Sequence, residues 1–174
     1  MRRMSTFLIG YRGSGKTTIG RRLADQLWQP FIDIDDQIVK IAGKTIKDIF
    51  EQDGEAAFRD LEEQAVKEAV ATAEHVIALG GGSVLREANR NAIKNSGQKV
   101  IYLKSSSAEL HKRISADPQT AAMRPSLTHL GGSIEEIEKL LAEREHLYRQ
   151  IMTAELDVTR LTPEEAVVYI VRLL

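Results

Sequence analysis

The sequence predicts an α/β fold of three layers, a parallel sheet of five strands held between two layers of helices. Three observations predict it. Short apolar runs alternate with helix-period segments along the whole chain, the pattern of strand–helix units rather than of a bundle or a sandwich. The residues Gly10-Tyr11-Arg12-Gly13-Ser14-Gly15-Lys16-Thr17 match G-x-x-x-x-G-K-[ST], a loop that belongs between a strand and a helix. The chain has 174 residues, 43% of them hydrophobic and 28% charged, enough for one domain with a core of its own. One domain over 1–174 is therefore expected.

Each element has a local reason. Residues 6–10 are a short apolar run ending in glycine and read as a buried strand. Residues 17–28 carry Ile19, Leu23 and Leu27 four apart, one apolar stripe of a helix. Residues 31–35 read as a second strand introduced by Pro30, and 55–73 as the longest helix, with Phe58, Leu61, Ala65, Val66 and Ala69 on one face. Strands follow at 75–79 and 99–103, the first running into Gly80-Gly81-Gly82-Ser83, and a short helix at 107–114. Ser133 followed by Glu136 has the spacing of a capping box. Thr162-Pro163-Glu164-Glu165 starts a final helix that runs to about 174. Residues 156–158 suit a last short strand. Between 116 and 132, Pro118, Pro125, Gly131 and Gly132 break every period, which predicts a mobile loop.

Composition narrows the function. There are no cysteines, so disulfides, thiolate metal sites and a cysteine nucleophile are excluded, in keeping with a reducing compartment. Lys+Arg 24 against Asp+Glu 25 leaves a net charge of −1, so no global field draws the chain to nucleic acid or anionic membrane. The first ten residues are basic, but their apolar run is shorter than a signal peptide's core, and no stretch is long enough to span a bilayer. A cytoplasmic protein is expected. The four histidines lack metal-ligand spacing.

The loop at 10–17 carries the strongest chemistry. Glycines at 10, 13 and 15 permit a tight turn whose amides converge on phosphate oxygens, beside the positive end of the following helix. Gly13, Ser14, Gly15, Lys16, Thr17 and Thr18 are the candidate nucleotide contacts, Lys16 for the β- and γ-phosphates and Thr17 for Mg²⁺. ATP and Mg²⁺ are the implied cofactors. Downstream, Asp33 and Asp35 stand two apart. On a strand both carboxylates share a face, one to hold Mg²⁺ through water and one to accept a hydroxyl proton or hydrogen bond. A competing reading makes these acids, Asp36 above all, caps of a helix start. Arg59 and Arg144 lie within helix-period segments, and each taken alone reads as a solvated charge. Arg124-Pro125 lies in the irregular loop, and Arg124 is a candidate to close over a transferring phosphoryl group.

In combination these motifs resemble the shikimate kinase family. The likeness covers nearly the whole chain in order: the loop at 10–17, Asp33-Ile34-Asp35, Gly54-Glu55 with Phe58-Arg59, Gly80-Gly81-Gly82-Ser83, Arg124-Pro125, and Arg144 with Leu147-Tyr148. The resemblance implies a nucleoside-monophosphate-kinase-like P-loop fold with a lid at about 115–131 and a substrate-binding helical segment at about 33–62. It implies ATP-dependent phosphorylation of the shikimate 3-hydroxyl, on the route to chorismate and the aromatic amino acids, by a monomer with a small-molecule partner only. By position it makes Asp35, Arg59, Gly81 and Arg144 the shikimate contacts, with Gly80 and Gly82 shaping that loop. It makes Asp33 a support for Mg²⁺, Arg124 the lid arginine and Arg113 the residue against adenine. Lys16, Asp35 and Arg124 are then the catalytic set. Two alternatives remain at this point: a kinase of another small polyol or acid such as gluconate, and a non-catalytic ATP-binding switch.

Overall fold

The computed structural model describes residues 4–117 and 132–174. Within them five strands, β1 (Thr6–Ile9), β2 (Phe31–Asp33), β3 (Val76–Ala78), β4 (Lys99–Lys104) and β5 (Ala154–Asp157), form one all-parallel sheet in the order β2-β3-β1-β4-β5. The helices among the described residues are α1 (Lys16–Leu27), α2 (Ile34–Ala42), α3 (Ile46–Gln52), α4 (Gly54–Val70), α5 (Glu87–Asn95), α6 (Ser107–Ala116), α7 (Ile134–Ile151) and α8 (Pro163–Leu173).

Alternate strand residues feed opposite faces of the sheet, as the pleat requires. Phe7, Ile9, Ile77, Leu79, Val100 and Tyr102 pack under α2, α3, α4, α5 and α7. Leu8, Val76, Ile101 and Leu103 pack under α1 and α8. Burial on both sides is why these strands read as continuous apolar runs. Phe7, Leu8 and Ile9 are at most 1% exposed, and each contributes roughly 1.5–3 kcal/mol of burial.

Several boundaries depart from the expectations. The last strand is Ala154–Asp157, starting two residues before 156. Strand β2 stops at Asp33 because the Asp33 carboxylate caps α2. The helices α2, α3 and α5 carry no long apolar stripe and have seven to nine residues each. Thr162 and Glu165 make the full reciprocal capping box. At Ser133 only one arm forms, the hydroxyl accepting from the Glu136 amide, because Glu136 is buried at 3% exposure and faces the interior instead. Helix α1 ends on Trp28 in the left-handed region (φ 55), 93% exposed. Of the expected loop 116–132, residues 118–131 lie outside the described residues, as do Arg124 and most of the 115–131 lid.

Candidate active site

The phosphate loop leaves the carboxyl end of β1 and enters α1 at Lys16, with Gly13 (φ 82) and Gly15 (φ 90) in left-handed conformations that a side chain would strain. Lys16 Nζ donates to the carbonyls of Gly10 (2.7 Å) and Tyr11 (2.9 Å), folding the side chain over the loop. Thr17, in the first turn of α1, donates its hydroxyl to Asp33 Oδ2 at 2.7 Å. The other Asp33 oxygen accepts from the Asp35 amide at 3.0 Å.

That bond corrects the strand reading of the acids. Asp33 and Asp35 do not lie two apart on one strand face; Asp33 ends β2 and caps α2, and Asp35 sits in the first helical turn. The two-residue spacing is the spacing of a cap, whose side chain reaches the amide two positions on. Capping and site geometry coincide, since one carboxylate holds both the helix start and Thr17. Asp36 points away and is exposed, 3.7 Å from Arg21.

Two cavities meet here. The larger is lined by Gly13, Gly15, Lys16, Thr17, Thr18 and Asp33, and extends to Arg113 at the end of α6. Arg113 is held there by Glu109 (3.0 Å) and the Val158 carbonyl (2.9 Å). Ser14 is buried inside the loop, its hydroxyl without a partner among the described residues. The smaller is lined by Asp35, Phe50, Phe58, Arg59, Glu62, residues 80–82 and Arg144. Arg12, Asp35, Gly80 and Gly81 line both.

Neither Arg59 nor Arg144 is a solvated helix charge. Arg59 is 9% exposed and Arg144 6%. Arg59 donates to Glu62 at 2.7 Å, pairs more loosely with Glu55 at 3.4 Å, and lies 5.2 Å from the centre of the Phe58 ring. The triple glycine makes room for it: a Cβ on Gly82 would stand 2.8 Å from both terminal nitrogens of Arg59. Arg144 lies 5.7 Å from the centre of the Tyr11 ring. Tyr148 donates its hydroxyl to the Gly81 carbonyl at 2.6 Å and stacks on Tyr102. Burial pushes the Tyr148, Tyr102 and Tyr11 phenols up and the Arg12 guanidinium down from their usual values.

The smaller cavity, beside a phosphate loop, is lined by the guanidiniums of Arg12, Arg59 and Arg144 and the carboxylates of Asp35 and Glu62, a set of donors and acceptors that suits a carboxylate and hydroxyls. The comparisons agree. The family model described as shikimate kinase matches residues 12–174.

The chain belongs to the shikimate kinase family.

A shikimate kinase from Thermobifida fusca is 42% identical over 159 residues, spanning 91% of this chain and 88% of that one. The solved structure of a shikimate kinase from Acinetobacter baumannii in complex with shikimate matches with a TM-score of 0.90 and 30% identity, over 98% of this chain and 92% of that one. A gluconokinase from Sinorhizobium meliloti matches with a TM-score of 0.60 at 21% identity, over 99% of this chain and 95% of that one, a likeness of fold alone. Family membership makes the chain an ATP-dependent kinase that phosphorylates an alcohol group. Its reaction belongs to aromatic amino acid biosynthesis.

Shikimate kinase motifs account for most of the cluster, but two members carry no signal of their own in the sequence. Glu62 is 1% exposed and accepts from both Arg59 and the Ser83 hydroxyl, each at 2.7 Å. Its only clue is a position three residues after Arg59, one helical turn on. Arg12 occupies a position where the phosphate-loop pattern accepts any residue. Arg124 lies outside the described residues.

Proposed function

We propose that the two joined cavities hold ATP and shikimate on either side of one wall and that Asp35, on that wall, sets the acceptor hydroxyl in line with the γ-phosphate. The shared lining by Asp35, Gly80 and Gly81 carries the reading. Arg59 and Arg144 bind the shikimate carboxylate by charge-assisted hydrogen bonds. Glu62 keeps Arg59 in place, and Gly80, Gly81 and Gly82 leave space for the ring. Asp35 accepts the hydrogen bond of the 3-hydroxyl. On the other side the amides of Gly13 and Gly15 and the side chain of Lys16 hold the phosphates, Ser14 and Thr18 complete the loop, and Arg113 packs against the adenine.

Thr17 and Asp33 supply oxygen donors 2.7 Å apart beside the phosphate cavity, a set that suits Mg²⁺, which takes one or two protein oxygens and completes its shell with phosphates and water. When bound there the ion neutralises charge on the phosphates. In the transfer, the bond from the γ-phosphorus to the bridging oxygen breaks, a bond to the shikimate oxygen forms, and the hydroxyl proton leaves on the Asp35 side. Arg124 and the 115–131 segment enter this reading from the sequence alone, as the lid cation and the lid.

The protein works as a monomeric single domain over 1–174 in the cytoplasm, without nucleic acid or membrane partners. Among the described residues no helix is long and apolar enough to cross a membrane. The test is ADP release with Mg²⁺ and ATP in three arms: shikimate, gluconate and no acceptor. Turnover with shikimate alone is the expected result; turnover without an acceptor, or with gluconate as readily, refutes it.

A further inference from the structure

A phosphoryl group passing from one cavity to the other must cross the wall they share. Of the four residues that line both cavities, Arg12 is the one cation. Lys16 lines the phosphate side only, and Arg59 and Arg144 the substrate side only.

The backbone of Arg12 is fixed where the two halves of the site touch. A Cβ on Gly81 would stand 3.2 Å from the Arg12 amide nitrogen, so the glycine loop lies against the phosphate loop at this residue. The preceding residue, Tyr11, is 4% exposed and carries Arg144 over its ring. The side chain is less committed than its backbone. Arg12 Nε is buried and has no hydrogen-bond partner among the described residues. The groups whose charge it feels are the Tyr11 phenol, Asp117 at the end of α6 and Glu136 in the first turn of α7. A buried guanidinium N–H without a partner is rare in a folded protein, and a planar fork of donors fits the oxygens of a phosphoryl group.

We propose that Arg12 is a catalytic residue of this enzyme, its guanidinium donating to the oxygens of the phosphoryl group in transit from ATP to the acceptor. The proposal rests on the two-cavity reading above. The loop amides and Lys16 hold the phosphates before transfer, whereas Arg12 stands on the wall between the cavities, beside the path of the phosphoryl oxygens as the bond to ADP breaks and the bond to the acceptor forms. It exchanges no proton. Because its interaction strengthens along the reaction, its removal lowers kcat and leaves the affinities for the separate ligands nearly unchanged.

The test is Arg12→Gln, with Arg12→Lys beside it. Steady-state rates with ATP, Mg²⁺ and shikimate are read alongside calorimetric Kd values for shikimate and ADP. Tightening of ADP binding by aluminium fluoride in the presence of shikimate serves as the transition-state readout. For R12Q we expect kcat to fall about 100- to 1,000-fold, as when a donor to developing charge is removed. Both Kd values stay within about threefold and Tm is unchanged, because the side chain gives up no hydrogen bond at Nε. The aluminium fluoride tightening is lost. R12K keeps the charge without the fork and recovers part of kcat. A wild-type kcat in R12Q overturns the proposal, as does a loss explained by weaker ground-state binding of either ligand. A fall in Tm that R12K does not share reveals a structural role and overturns it equally. Wild-type protein with no shikimate-dependent turnover would sink the two-cavity reading itself, an outcome separate from a wild-type rate that survives R12Q.

Discussion

Gly82→Ala adds one methyl group and tests the substrate cavity at its tightest point. The Gly82 backbone (φ −100, ψ 1) suits alanine, so the substitution strains no torsion. The new Cβ would lie 2.8 Å from both terminal nitrogens of Arg59 and 3.1 Å from its central carbon. Ordinary contact begins near 3.5 Å, so the guanidinium must retreat by about half an ångström or more. It has little freedom to do so. Glu62 holds one end at 2.7 Å, and the Phe58 ring lies alongside. A charge-assisted hydrogen bond is worth about 1.5–3 kcal/mol, and displacement of this order misaligns such a bond. Shikimate affinity should therefore fall about 10- to 150-fold, with ADP affinity within about twofold, because Gly82 lines only the substrate side. Calorimetric titration of the purified variant with each ligand reads both numbers. A shikimate Kd within twofold of wild type, in a variant of unchanged Tm, would refute the claim that Arg59 binds the acid from this position.

Asp33 separates capping from metal chemistry: Asp33→Ala should cost about 1 kcal/mol of stability through the lost cap, whereas Asp33→Asn keeps an acceptor for the Asp35 amide, stays within about 0.5 kcal/mol, and still needs far more Mg²⁺ for turnover. Urea midpoints and a Mg²⁺ titration of the rate tell the two apart; a normal Mg²⁺ requirement in the asparagine variant would discount the metal role. Burial holds the Tyr102 phenol protonated in the fold to well above its ordinary value of 10.0, so stability from this group is complete below about pH 10 and is lost as pH rises beyond it. At pH 11 the unfolded chain gains about 1.4 kcal/mol per such tyrosine, and Tyr102→Phe should flatten the fall in urea midpoint between pH 9 and 11; an equal slope in both proteins counts against it. Trp28 holds a left-handed φ of 55 with 93% of its surface exposed, so Trp28→Gly should raise stability by about 0.5–1 kcal/mol and Tm by about 1–4 °C. An unchanged or lower Tm would mean that the indole has contacts of its own.

What the sequence makes legible is what its neighbours in the chain decide. The loop at 10–17 needs only its own glycines, lysine and threonine, and the structure forms it between β1 and α1. The start of α8 is equally plain, since Thr162, Pro163 and Glu165 complete their box within four residues. Asp33 and Asp35 stand out in the sequence, but not which of two local geometries they take, because alternation on a strand and a cap with its N2 amide share a spacing of two. Arg59 and Arg144 stand furthest from legibility. Their burial depends on Glu62, on the absent side chain of Gly82, and on the Tyr11 ring 133 positions away from Arg144. Resemblance to a family names such residues, while no periodicity in the chain distinguishes them from surface charges.

The strand order explains why so dispersed a set converges. Because β3 lies between β1 and β2, with Leu8 and Asp33 both in register with Ala78, three strands end level with one another and release three loops side by side. From β1 comes the phosphate loop, from β2 the Asp33 cap with Asp35 beyond it, and from β3 the triple glycine. Ligands of open parallel sheets bind at the carboxyl ends of strands, and in the proposed function that rule sets a phosphate donor and a hydroxyl acceptor on opposite sides of the same few residues. Inserting another strand between β1 and β3 would move the glycine loop about 4.8 Å further from the phosphate loop, and Gly81 would lose its contact with Arg12. The adjacency of β1 and β3 is thus what the proposed transfer across this wall requires, independent of which side chains bind the acid.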